Sequence, residues 1–148
     1  MVVRLEEEQQ SIHLDESIPY LVIQPHSWRT LKTPTSQRLV PLVGSSLWAA
    51  KRIVESHDDY CFPRYCDGVT CNSNSASAAL NKWIKKLTNQ DVVIHGLRHT
   101  FRDRLRAITA PLDLIDQLGG WSLQTVGQGY GEGYDLKVLH ETLTQALD

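Results

Sequence analysis

The stretch HGLRHTFRDRLRAITAPLDLIDQLGGWSLQTVGQGYGEG, from His95 to Gly133, carries most of the information in this chain. Leu97, Phe101, Leu105 and Ile108 recur at helical spacing and predict a helix from His95 to Ile108. Pro111 suits the first turn of a second helix, which Gly119-Gly120 would end. Four glycines, Gly127, Gly129, Gly131 and Gly133, then surround Tyr130 and loosen the backbone there. On the first helix His95 and Arg98 stand at i and i+3, a spacing that points both at one target. A guanidinium beside an imidazole suits a phosphate. The first supplies forked donors to the oxygens, and the second can hydrogen-bond or move a proton near neutral pH.

Working outward, Tyr20-Leu-Val-Ile-Gln24 and Arg38-Leu-Val-Pro-Leu42 read as strands, joined by the turn-rich PHSWRTLKTPTSQ. Ser45 or Ser46 can cap a helix through LWAAKRIVES, and Asn74 or Ser75 can start another, SASAALNKWIKKLT. That second helix places Ala79, Leu80, Trp83, Ile84 and Leu87 on a side expected to be buried. Lys82, Lys85 and Lys86 lie opposite, where they can meet a phosphate backbone. Downstream, Asp135 caps a final helix striped with Leu136, Leu139, Leu143 and Leu147. The expected fold is α+β and mainly helical, a small antiparallel β-hairpin sheet followed by a helical bundle. It forms one domain over residues 1–148, with the hairpin region at 18–43 and the helical part at 44–148.

Composition sets the outer limits. A chain of 148 residues suffices for one modest core, and no apolar run approaches the length of a membrane span. The acidic start MVVRLEEEQQ lacks the apolar centre of a signal peptide, so the expectation is a cytoplasmic protein without a membrane partner. Cys61, Cys66 and Cys71 are odd in number and spaced unlike common zinc ligands. Free thiols in a loop are expected rather than a metal site with His57. The formal net charge is only −2, but the segments 28–52 and 82–106 are basic and could form one DNA-facing surface.

HGLRHTF, then LGGW, then Tyr130 resembles the C-terminal half of the catalytic domain of the tyrosine recombinases, the phage integrase family. RTLKTPTSQRLVPL resembles that family's β-hairpin, whose active-site lysine precedes an Arg-x-x-Pro-Leu pattern. The resemblance runs from about Ile18 to Leu147 and implies site-specific DNA recombination through a 3′-phosphotyrosyl intermediate, with no metal or cofactor. It assigns Tyr130 as nucleophile and Arg98 as the cation on the phosphate. Trp121 is the donor to a non-bridging oxygen, Lys32 the acid for the leaving oxygen, and His95 a positioning or proton-relaying group. Tyr134 stands as the alternative nucleophile, and His99 as structural. An earlier family arginine, within Arg-x-x-Glu, has its match in Arg4 with Glu7.

Arg29, Lys82, Lys85, Lys86 and Arg102 are the further DNA-binding candidates. The expected partners are double-stranded DNA and other copies of the chain, joined through the C-terminal helix into a tetramer on DNA. The family's first catalytic-domain helices and its N-terminal DNA clamp find no counterpart in the sequence. The expectation is therefore a partial, N-terminally truncated catalytic domain that by itself binds DNA weakly and cleaves it poorly or not at all. The alternative is a non-catalytic DNA-binding or interaction module derived from an integrase.

Overall fold

The computed structural model describes residues 11–25, 31, 33, 36–56, 62–65, 72–121 and 133–147. Arg4, Arg29, Lys32, Tyr130, His57 and the three cysteines lie outside the described residues. Three short strands, β1 (Ile12–His13), β2 (Tyr20–Ile23) and β3 (Arg38–Pro41), form an antiparallel sheet in the order β1-β2-β3. The register sets Tyr20 against Pro41 and Ile23 against Arg38. Pro41 has no N–H to give, and it is accommodated because β3 is an edge strand. The sequence marks β2 and β3 but not β1. Two residues are too few for a periodic pattern, and β1 is held by its pairing with β2 and by a His13–Tyr20 ring stack at 4.4 Å.

The helices among the described residues are α1 (Gly44–Glu55), α2 (Ser73–Thr88), α3 (Gly96–Ala107), α4 (Leu112–Gly119) and α5 (Leu136–Leu147). Their ends follow local chemistry. Ser46 Oγ accepts from the Val43 N–H at 3.0 Å, Asn72 Oδ1 from Ser75 at 3.0 Å, and Asp135 Oδ1 from Val138 at 2.9 Å. The fold is α+β and mainly helical.

The core lies where α3, α4, α5 and β3 meet. Val43, Leu105, Leu114, Ile115, Leu118, Leu139 and Leu143 are buried there, with Phe101, Trp121 and Tyr134 packed on its rim. Each such side chain contributes about 1.5–3 kcal/mol on leaving water. Two differences from the sequence-based expectation stand out. The apolar side of α2 is open: Leu80, Trp83 and Leu87 are exposed. Among the described residues α2 is tied instead through Asn81 Oδ1, which accepts from the Ile94 N–H at 2.7 Å. An apolar stripe says that a face gains from cover, not which element supplies it. Conversely, Leu139 and Leu143 of α5 are used in the chain's own core and offer nothing to a second copy, whereas Val138 and Leu147 remain exposed.

Candidate functional site

The turn after α4 is shaped by two glycines with separate reasons. Gly120 is the C-cap at φ +61, in the left-handed region, and Trp121 N–H closes the turn on the Asp116 carbonyl at 3.0 Å. A Cβ on Gly120 would collide with the Arg38 guanidinium. The indole of Trp121 folds back over Gly119, where any Cβ would fall within the ring. Gly-Gly-Trp is therefore the sequence that lets a helix end, turn back and lay an indole on its own last residue.

That indole organises the arginines of α3. Phe101 stacks against it at 6.4 Å between ring centroids. The guanidiniums of Arg98 and Arg102 lie 4.3 Å and 5.0 Å from its centroid. The two arginines then part company. Arg102 pairs with Asp116 at 3.3 Å; Asp116 is 2% exposed, and Arg102 Nε is buried without a partner among the described residues. Arg102 thus helps lock α3 to α4. Arg98 is exposed and has no carboxylate partner among the described residues.

Arg98 lines a cleft of about 310 Å³ together with Thr33, Ser36, Arg38, Gly119, Gly120 and Trp121. That size is at the lower end for small-ligand sites. Arg38 reaches it from the first residue of β3, donating from Nε to the Leu118 carbonyl at 3.1 Å and from Nη1 to the Ser36 carbonyl at 2.7 Å. Burial, and then the charge of Arg98, push the Arg38 guanidinium below its ordinary protonation range. The described cleft residues include two arginines, two hydroxyls and an indole but no acid, a composition that favours an oxyanion.

The model of the phage integrase family matches residues 6–135. The chain belongs to the phage integrase family. No curated protein and no solved structure matches it. Membership gives this integrase a site-specific recombinase-type function in general terms, with DNA as the class of partner. No helix among the described residues is long and apolar enough to cross a membrane. The described residues hold no group of three or more His, Cys, Asp or Glu that could bind a metal ion.

The remaining sequence candidates are spread around this centre. His95 precedes α3, is exposed, and meets His99 edge-on at 5.9 Å; it does not line the cleft. On α2, Lys82 and Lys86 are exposed, while Lys85 contacts Asp91 and holds its carboxyl below the usual range. Arg38 is the residue that sequence reasoning passed over. The Arg-x-x-Pro-Leu pattern marked it as part of a hairpin, but its partner Leu118 lies far along the chain.

Tyr134 of the integrase is committed elsewhere. Its hydroxyl donates to the Asp113 carboxylate, 3.1 Å from both oxygens. Its backbone is clamped by the Gln117 amide, which accepts from its N–H at 2.8 Å and donates to its carbonyl at 3.0 Å. Burial, and then the bond to Asp113 and its charge, raise the Tyr134 hydroxyl above its ordinary value of 10.0. The folded state thus holds this proton more tightly than the unfolded state does. The corresponding stability is fully present below about pH 10 and is lost as pH rises through the higher folded value. In urea titrations between pH 8 and 11, Tyr134→Phe is expected to lose part of the alkaline decline in stability. An identical decline in the variant would contradict this role for the Asp113 contact.

Proposed function

We propose that this integrase cleaves and rejoins DNA strands, with Tyr130 attacking the phosphate that the Arg98 cleft binds. The observation that carries the reading is the cleft itself, basic and without an acid among its described residues. Arg98 and the indole of Trp121, at positions where the sequence resembles the family's active site, gather there with Arg38. A phosphodiester brings the missing negative charge, and more charge accumulates as the phosphorus becomes pentavalent.

The Tyr130 oxygen forms a bond to phosphorus as the bond to the 5′ oxygen breaks. The product is a 3′-phosphotyrosyl link and a free 5′ hydroxyl, and the reverse attack by a 5′ hydroxyl rejoins the strand. Lys32 gives a proton to the departing oxygen, and His95 positions the phosphate or receives the tyrosine proton. Arg98 neutralises the non-bridging oxygens, the Trp121 N–H donates to one of them, and Arg4 supplies the further family arginine. The commitment of the Tyr134 hydroxyl to Asp113 supports Tyr130 as the nucleophile over its neighbour. Arg29 and the Lys82, Lys85 and Lys86 face of α2 hold flanking backbone phosphates, with Arg102 acting through the placement of Trp121. Assembly with other copies on DNA uses the outer face of α5, where Val138 and Leu147 are exposed.

The test uses nicked duplexes randomised around the scissile position. The wild-type chain is expected to give a covalent protein–DNA band on a denaturing gel, and Tyr130→Phe to give none. No band from wild type, or an equal band from the variant, would overturn the reading.

A further inference from the structure

We propose that Arg38 is a second phosphate-holding cation of this cleft, gripping from the sheet side the anion that Arg98 holds from α3. The proposal rests on the reading that the cleft takes a DNA phosphate, and it adds a residue outside the set that the resemblance assigned. Three observations carry it. First, the guanidinium is fixed before any ligand arrives: Nε and Nη1 donate to the Leu118 and Ser36 carbonyls, anchoring it between β3 and the end of α4. Arginine has five N–H donors, so these two bonds leave three, and no nitrogen of Arg38 is buried without a partner. The unused donors are thus not shut away from solvent, and Arg38 lines the cleft.

Second, among the described residues Arg38 has no neutralising partner of the kind a merely structural arginine would have. Arg102 has the buried carboxylate of Asp116. Arg38 instead sits near enough to Arg98 to feel its charge, with no acid among the described cleft residues. Two like charges at one cleft raise the free energy of the empty site, and an oxyanion between them relieves it. Third, the chain makes room for the group, since a Cβ at position 120 would displace the guanidinium. Lysine at position 38 keeps a charge but loses the fork that can hold two carbonyls and still reach an anion.

The experiment titrates the full chain, ¹⁵N-labelled, with inorganic phosphate and follows the arginine Nε–H signals. The Arg38 and Arg98 signals are expected to move together on one binding curve. Arg38→Lys is expected to weaken phosphate about tenfold, the loss of one hydrogen bond to a charged group. Movement of the Arg98 signal alone would overturn the proposal, leaving Arg38 as a cap on α4. The wild-type titration needs no variant, so it decides the matter even where the Arg38→Lys chain folds poorly. Adduct formation on nicked duplexes separates the two readings. Wild-type rates in a folded Arg38→Lys chain would overturn the role of Arg38 and spare strand cleavage. Phosphate binding that depends on both arginines, without any adduct at Tyr130, would support Arg38 and overturn strand cleavage.

Discussion

Arg98→Ala is expected to slow covalent adduct formation on nicked DNA by about a hundred- to a thousandfold, the usual effect of removing one preorganised donor from a developing oxyanion. The side chain is exposed, and its guanidinium lies over the face of Trp121, at 4.3 Å. An exposed cation–π contact contributes about 0.5–1 kcal/mol, so the fold should survive the change. That separation of effects makes the variant informative, because rate is lost while the thermal midpoint moves little. Arg98→Lys should fall between the two, since it keeps the charge and loses the planar fork. Single-turnover adduct formation beside a melting curve checks both. An Arg98→Ala chain with the wild-type rate would remove the cleft from the chemistry.

Leu139→Asp is expected to unfold the chain. Leu139 is 1% exposed and packs in the cluster that joins α5 to α3, α4 and β3. A carboxylate there would be buried among Leu105, Leu118 and Leu143, and a cost above about 4 kcal/mol belongs to such changes. A domain with about 5–15 kcal/mol in total cannot absorb much of that. Val138→Asp, one residue away and 36% exposed, should change stability by no more than about 0.5 kcal/mol. Circular dichroism in urea tests the pair. A folded Leu139→Asp chain that only lowers the assembled mass would make Leu139 an interface residue instead.

These expectations show where the sequence was informative. Helical spacing marked α3 through Leu97, Phe101 and Leu105, and Gly119-Gly120 marked the end of α4. Capping chemistry at Asp135 marked the start of α5. Such signals are local, carried by residues within a turn or two of one another. What could not be read was which faces meet. The α2 and α5 stripes look alike in sequence, yet α5 is buried on the core and α2 leaves Trp83 and Leu87 exposed.

The site divides along the same line. His95 and Arg98 came from their spacing on one helix, and Trp121 from the resemblance to the family. The pairing of Arg102 with Asp116, the bond of Tyr134 to Asp113 and the arrival of Arg38 beside Gly120 depend on helices and strand closing together. Charge alone would class Arg38, Arg98 and Arg102 together. Their partners separate them: two carbonyls, an aromatic face, and a buried carboxylate with the same aromatic face.

The most direct test of the central claim locates the covalent bond itself. Adduct trapped on a nicked duplex would be digested with protease and nuclease, and the nucleotide-bearing peptide sequenced by mass spectrometry. The account predicts the phosphotyrosyl link at Tyr130. A link at Tyr134, at any other residue, or at none would contradict it.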